Sequence, residues 1–436
     1  MMMFVKNTRA IARTVAILIA VIIVIVAAVG GYYAYRAVTK PKIKEVKVGV
    51  ILPLTGGASK CGMLAKQGIE LAIEHINEAG GVKSLGGAKL VPIWADSASK
   101  PETGMSEAER LITVEKVHVL TGCYQSAVTL PVAGVAEKYK IPFMVADAIS
   151  DEITERGYKY VFRIHGKASW YGRDAVRAIL DLNKKHGTDF KSIGLIYVND
   201  EFGISSAEGF KKYLEELAPG YRVTFEEAYP YPVADLSPLV TKLKAANPEI
   251  VVHVGYTDDS ILFMKTLKSM GWYPKVYMGL GAAGQTHPDY IKSLGETAEY
   301  VFTQTEWQPD LLLSPKLSKF KWINEEFKEK YGYDMTGISA DCYSSTWILY
   351  YAIEKAGSVD PDKVREALTS IVLDLPSEEV NVILPYTKID LREEGQNPYT
   401  AICLAQIREG KFRIVWPFEY ATVEAKWPAP SWEERG

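Results

Sequence analysis

Residues 46–81 read VKVGVILPLTGGASKCGMLAKQGIELAIEHINEAGG, and this stretch decides the fold. Val46 to Leu52 is an apolar segment, Pro53 to Gly62 is a run of small residues, and Ala65, Ile69, Ala72, Ile73 and Ile76 then recur at helical spacing. The order is strand, loop, helix. In open α/β sheets ligands bind in loops beyond the carboxyl ends of parallel strands, so the loop from Thr55 to Cys61 is the first candidate for contact with a small molecule.

The pattern continues down the chain. Strands are predicted at Leu90–Asp96, Val117–Gly122, Ile141–Ala146, Ser192–Val198, Arg222–Glu227, Ile250–Gly255 and Val276–Met278. Helices are predicted at Glu102–Glu115, Ala127–Tyr139, Ala168–Lys185, Ser205–Leu217, Ser237–Ala246 and Asp259–Met270. Such alternation requires parallel sheets covered by helices, and the number of strands exceeds what one sheet of ordinary width holds, so two α/β lobes are expected. Further helices follow at Pro315–Tyr331, Ser339–Ala356 and Asp362–Ser370. The last part changes to strands at Val380–Leu384, Ala401–Arg408 and Lys411–Val415, with Glu409-Gly410 as a hairpin turn.

Composition narrows the function. The 436 residues are 48% hydrophobic and 24% charged, as in globular proteins, and 50 basic against 53 acidic residues give a formal charge of −3. No broad positive field exists for nucleic acid, which is excluded as a partner. The N-terminus departs from this picture, because no charge occurs between Arg13 and Arg36. Residues 14–35 are therefore expected to form a transmembrane anchor or uncleaved signal, preceded by a short tail (1–13) and followed by a linker (36–45), with Tyr32, Tyr33 and Tyr35 at the outer interface. Basic residues on both sides leave the orientation open by charge counting alone. Cys61, Cys123, Cys342 and Cys403 show no metal-type spacing. Cys61 and Cys123 follow strands expected to be neighbours, so a disulfide between them stands beside two buried free thiols as alternatives.

Catalytic motifs are absent: the sequence has no P-loop, no G-x-S-x-G turn and no H-E-x-x-H. Gly279 to Gly284 fits G-x-G-x-x-G, but Gln285-Thr286-His287-Pro288 delays the helix that a pyrophosphate needs, which favours a plain glycine loop. His118 and His253 lie in apolar strands and read as core histidines. Asp258 beside Asp259, and Glu74 beside His75, read as solvated helix-face charges. No catalytic residue, metal or cofactor is assigned. The segment from Gly122 to Pro131 leaves a strand and enters a helix, with Ser126 placed as N-cap and Pro131 in the first turn, a geometry that favours a carboxylate. The aromatic residues Trp170, Tyr171, Phe202, Tyr256 and Trp307 fall near strand ends or lobe connections, where cleft walls are built.

Taken together, VGVILPLTGG…KQGIELAIEHINEAGGV, GCYQSAVTLPVAGVAEKYKIPFM, DEITERGYKYVFRI, NDEFGISSAEGF, GYTDDSILFMKTLKSMGW, ISADCYSSTWILYYAIEKAGS and AQIREGKFRIVWP resemble periplasmic binding proteins of the leucine/isoleucine/valine-binding type. These are the solute receptors of branched-chain amino acid ABC transporters, and the likeness runs from about Lys44 to Pro417. It implies the type I fold, two Rossmann-like lobes with parallel-sheet cores joined by a three-crossing hinge. Lobe 1 would comprise 46–162 and 304–380, lobe 2 would comprise 163–303 and 384–420, and 421–436 would form a tail. Crossings are expected near Arg163, Thr303 and Ile383.

By the same resemblance the ligand site comprises Tyr124, Gln125, Ser126, Asp147, Ala148, Ile149, Tyr171, Phe202, Tyr256 and Gly281. Ser126 and neighbouring amides would hold a ligand carboxylate, and Tyr256 would be a cleft tyrosine from the second lobe. Gly281 stands where the family has a glutamate that pairs with the ligand ammonium, and Ile149 replaces a threonine. Cys61 and Phe202 stand where the family often has tyrosines. Asp147 then supplies the missing negative charge. The implied function is an extracytoplasmic, membrane-anchored receptor that captures an amino acid or related small organic acid or amide and delivers it to an ABC permease with its ATPase. One alternative is a ligand-sensing ectodomain working through a separate signalling partner, since only about a dozen residues precede the apolar segment. The other is a nucleotide-dependent α/β enzyme.

Overall fold

The computed structural model describes residue 15 and residues 18–31, 43–282, 284–377 and 379–435. Two units are distinct, 1–44 and 45–436. In the first, helix α1 spans 18–31. Its apolar side chains are exposed, among them Leu18, Ile22, Ile23 and Val24. Among the described residues no helix is long and apolar enough to cross a membrane. The remainder of the expected span, residues 14, 16, 17 and 32–35 with the three tyrosines, lies outside them.

The second unit holds two large sheets. The first consists of β1 (Glu45–Leu52), β2 (Lys89–Asp96), β3 (Val119–Gly122), β4 (Phe143–Val145) and β5 (Val161–Arg163) in the order β2-β1-β3-β4-β5, all parallel. Its helices are α2 (Ser59–Glu78), α3 (Pro101–Thr113), α4 (Ser126–Tyr139) and α5 (Glu152–Glu155). The second sheet contains β6 (Ser192–Val198), β7 (Arg222–Tyr229), β8 (Ile250–Val254), β9 (Val276–Gly279) and β10 (Phe302–Thr305). A short antiparallel pair, β11 (Val372–Asp374) and β12 (Lys388–Asp390), stands apart from it. Strands β13 (Cys403–Arg408) and β14 (Lys411–Trp416) then complete the order β14-β13-β10-β9-β8-β6-β7, antiparallel from β10 outward to β14. The remaining helices are α6 (Ala168–His186), α7 (Glu201–Leu217), α8 (Ser237–Ala246), α9 (Thr257–Ser269), α10 (Pro288–Leu294), α11 (Lys321–Tyr331), α12 (Gly337–Ala356) and α13 (Pro361–Ser370).

The path of the chain places the site. It leaves the first sheet after Arg163 and builds the second through β10. It then returns with α12, which packs on α2 and β4, and comes back over 391–402 to add β13 and β14. Parallel order within each sheet follows from the strand-helix alternation, because a crossover helix returns the chain to the same end. Three departures from the sequence reading have local causes. Helix α2 begins at Ser59, so Cys61 belongs to its first turn and not to the preceding loop. Val380–Leu384 is irregular: the amides of Asn381 and Ile383 donate to Tyr351 Oη (3.0 Å) and Ser344 Oγ (3.3 Å), side chains of α12, where a strand would need a neighbour. The disulfide is absent, and all four thiols are free and buried. Cys123 packs in the apolar core with Ala108, Leu120 and Ala133, whereas Cys61 Sγ lies 3.7 Å from Thr257 Oγ1.

Helices α2 and α12 meet at Gly68. A Cβ added there would stand 2.2 Å from the Ser339 carbonyl oxygen, so the two backbones touch only because the side chain is missing. Gly68→Ala is expected to lower unfolding stability by about 1–3 kcal/mol, as overpacking does. A urea titration that leaves the midpoint unchanged would show that α12 is not seated on α2 in this way.

Candidate functional site

Two strand ends of the first sheet and three of the second deliver the side chains that matter. Beyond β3, the chain turns through Cys123 and Tyr124 into α4. Beyond β4 it runs through Asp147, Ala148 and Ile149. From the second sheet come Phe202 at the start of α7, Tyr256 between β8 and α9, and Gly281 and Ala282 after β9. A cavity of about 340 Å³ lies among them, lined by Tyr124, Gln125, Asp147, Ile149, Tyr171, Phe202, Tyr256, Gly281 and Ala282. In this structure the space is narrow, with room of about 20 Å³ for a molecule the size of water, so a ligand enters only as the surrounding loops part. A larger depression near Trp170 and Arg392, with about 550 Å³ of such room, is an open surface feature that shares only the α6 region with it.

Eight of the ten residues expected at the site line this cavity; Ser126 and Ala148 do not. Ser126 is the first residue of α4, and its Oγ accepts from the Ser150 amide at 3.2 Å. The N-cap position falls to Gln125, whose extended backbone offers its carbonyl to Thr129 (2.9 Å) and whose side chain caps nothing. Pro131 therefore sits in the second turn of α4, inside the helix. Ala148 contributes its carbonyl to buried Arg163, whose Nη1 also reaches Ser150 O at 2.8 Å, while Nε reaches Gln396 Oε1 at 2.6 Å. Arg163 thus fixes the loop that presents Asp147 and Ile149.

The walls are aromatic. The Tyr256 ring lies 4.6 Å from that of Tyr231, 5.4 Å from Phe202 and 6.4 Å from Tyr124, centroid to centroid. Tyr256 Oη donates to Asp200 Oδ2 at 2.7 Å, and Asp200 in turn caps α7 by accepting from Gly203 N. Of the other aromatic candidates, Trp170 lies in the outer depression and Trp307 is buried. His253 is the hydrogen-bonded core histidine anticipated, with Tyr229 and Tyr277 hydroxyls each at 2.7 Å. Asp259 corrects the reading of a solvated charge. It is buried, accepts from Tyr229 Oη at 2.5 Å, and burial pushes its carboxyl up to about 7.

One group the sequence reading missed dominates the floor. Asp147 is in hydrogen-bonding contact with Asp341 of α12, and both feel the charge of Glu306, which follows β10. Glu306 Oε1 accepts from Tyr171 Oη at 2.6 Å and from Gly166 N at 2.7 Å. Burial raises all three carboxyls: Asp147 and Asp341 well above the ordinary range, reinforced by their mutual repulsion with Glu306, and Glu306 up to about 7 despite the two donors. Among the described residues Glu306 Oε2 and Asp341 Oδ1 complete no hydrogen bond of good geometry, and neither do Tyr124 Oη and Gln125 Oε1. The signal in the sequence is a lone carboxyl inside an apolar helical run, Ile338-Ser-Ala-Asp341-Cys-Tyr343, which the family likeness covered without singling out.

A carboxyl raised by folding favours the folded state below its unfolded value, and that contribution is lost as pH climbs through the folded value. Asp341→Asn keeps a neutral donor towards Asp147 at every pH. The variant is therefore expected to melt a few degrees above the parent at pH 8 and together with it at pH 5. Parallel melting curves at both pH values would refute the shared-proton arrangement.

A family model described as "Periplasmic binding protein" matches residues 45–411. Among curated proteins, Leu/Ile/Val-binding protein homolog 7 of Brucella abortus is 28% identical over 405 residues, covering 91% of this chain and 97% of its own. Among solved structures, the leucine-binding protein LivK of Thermotoga maritima superposes with a TM-score of 0.72 at 24% identity, over 85% of this chain and 97% of its own. A solute-binding protein of an ABC transporter from Rhodopseudomonas palustris, solved with 3,4-dihydroxybenzoic acid, gives 0.70 at 22%, over 85% and 95%. The chain belongs to the periplasmic binding protein family and is a solute-binding protein of that family.

Proposed function

We propose that this protein captures an amino acid or related small organic acid or amide in the cavity between its two sheets and delivers it to an ABC permease. The observation that carries the reading is the convergence of loops from both sheets on one cavity, walled by Tyr124, Phe202 and Tyr256 and floored by Asp147. The relative named for binding leucine, isoleucine and valine supports the same class of cargo. The two lobes, 46–162 with 304–380 and 163–303 with 384–420, would close on the ligand about the three passages of the chain. Closure needs only a ligand that binds the closed state better.

The body is extracytoplasmic, as the family implies. The apolar segment around α1 would tether it to the membrane, a reading supported by exposed apolar side chains and by the absence of charge between Arg13 and Arg36. The cargo undergoes no chemical change in this scheme.

A thermal-shift screen of amino acids, amides and short organic acids tests the capture role. A ligand at a hundred times its dissociation constant adds about 2.7 kcal/mol of stability. Phe202→Ala and Tyr256→Ala are each expected to weaken the best ligand about tenfold or more by isothermal titration. Unchanged affinity in both variants would move the site elsewhere.

A further inference from the structure

The pocket has an unbalanced charge. Asp147 lines it, Asp341 touches Asp147, and Glu306 sits behind Tyr171, whose ring also lines it. No lysine, arginine or histidine lines the cavity. Among the described residues no ion pair involves Asp147, Glu306 or Asp341. The nearest cation, Arg163, gives its hydrogen bonds to Ala148 O, Ser150 O, Thr154 Oγ1 and Gln396 Oε1 and none to Glu306.

A second observation points the same way independently. Among the described residues Tyr124 Oη and Gln125 Oε1, both on the cavity wall and each more than nine-tenths buried, complete no hydrogen bond of good geometry, although the Cys61 thiol and the Tyr256 hydroxyl lie beside them, nor do Glu306 Oε2 and Asp341 Oδ1. Gln125 Oε1 only accepts, and the two carboxyl oxygens only accept once ionised, so a ligand that offers donors complements them. Around them stand the ring faces of Phe202, Tyr256 and Tyr124, the surface that attracts an organic cation once water is excluded. A carboxylate ligand would meet like charge on the floor and no cation on the walls. A neutral one would leave the acceptors unpaired.

We propose that the cavity is built for a small organic cation, an amine or guanidine that is protonated at neutral pH and carries net positive charge, with its charged nitrogen on Asp147 and the carboxyls behind it and its carbon skeleton against the aromatic wall. This replaces the acid or amide cargo with a basic one and rests on the solute-binding reading above. Before the cation arrives, the crowded carboxyls keep protons among themselves; on binding, the ligand charge takes their place and a proton leaves to solvent. Affinity therefore rises with pH. The other titratable groups facing the cluster do not reverse this sign. Tyr171, Tyr124 and the thiols of Cys61, Cys342 and Cys403 are pushed up by burial and stay neutral. His165 is held well down by burial beside Arg163, and Arg163, lowered only to about 10, remains charged; Asp174 and Asp200 add further negative charge nearby.

The test uses the full chain, thermal shift followed by isothermal titration, and seven probes: choline, ethanolamine, agmatine and arginine against leucine, 4-hydroxybenzoate and acetamide. Saturable binding of at least one of the four cations, weakened tenfold or more on going from pH 8 to pH 5 and tenfold or more by Asp147→Asn or Glu306→Gln, is the expected result. Folding of each variant is checked by its own melting transition, and Asp341→Asn serves as a second variant should either fail to fold. Binding of leucine, 4-hydroxybenzoate or acetamide without binding of the cations would overturn the proposal while leaving the capture role intact. Cation binding that is insensitive to pH and to all three variants would also overturn it, and silence from all seven probes would remove both readings.

Discussion

Glu306 is a carboxyl held out of water at the place where the chain passes between its sheets. Its Oε1 takes the Gly166 amide, from the segment that leaves the first sheet after β5, and the Tyr171 hydroxyl, from the first turn of α6. Glu306 itself lies just past β10, where the chain turns back. One oxygen thus ties an outgoing passage to a returning one, and Ile402 of the last passage lies close to Gly166 as well. Removing a carboxyl from water is costly unless donors or a counter-charge meet it, and here the donors satisfy one oxygen only. The arrangement persists because strands on both sides fix it in place. Charge placed on Asp147 is felt at Glu306, because the two carboxyls and Asp341 act on one another.

The support for that cluster is spread along the chain. Arg163, fully buried at the end of β5, spends its guanidinium on two carbonyls of the 148–150 loop and on Gln396, whose own amide donates to His165 O at 2.7 Å. The 395–397 segment is locked to β5 by Arg163 N to Gly395 O (2.7 Å) and Asn397 N to Arg163 O (3.0 Å). Asp341 arrives on α12, whose approach to α2 depends on the missing side chain at Gly68. Residues separated by more than two hundred positions therefore set the floor of one small cavity, and close packing makes their positions interdependent.

That dispersion explains what was legible in the sequence. Strand and helix alternation carried the two parallel sheets, because period and turn residues are local signals. Tyr124, Asp147, Phe202 and Tyr256 could be named through the family likeness, and all four fall in the loops or helix starts that follow strands, where such sheets converge. Glu306 and Asp341 escaped for the opposite reason: one ends a short strand that has little period to read, and the other sits mid-helix, where a carboxyl ordinarily faces water. Ser126 was placed one step too early in the helix, since nothing local reveals that its hydroxyl is claimed by the Ser150 amide from the next strand's loop. Val380–Leu384 has the apolar run of a strand, but α12 side chains supply its hydrogen bonds, a choice made by tertiary packing.

Gly281 shows how far the charge pattern of this pocket departs from the one the family likeness implied. With φ at +84°, its backbone is in the region that disfavours every side chain but glycine's. A Cβ there would meet Phe202 Cε2 at 2.8 Å and Ile149 Cδ1 at 3.2 Å, so a glutamate at this position would have to displace both the ring and the isoleucine. Phe202 and Ile149, two of the other residues that differ from the pattern the likeness implies, fill the space such a side chain would need. The three differences are thus one structural change. Negative charge is absent at Gly281 and present instead in Asp147, which follows β4, with Asp341 of α12 and Glu306, which follows β10, close to it. Under the organic-cation proposal the ligand would turn to match, with its positive end on Asp147 and its apolar part against Phe202 and Tyr256.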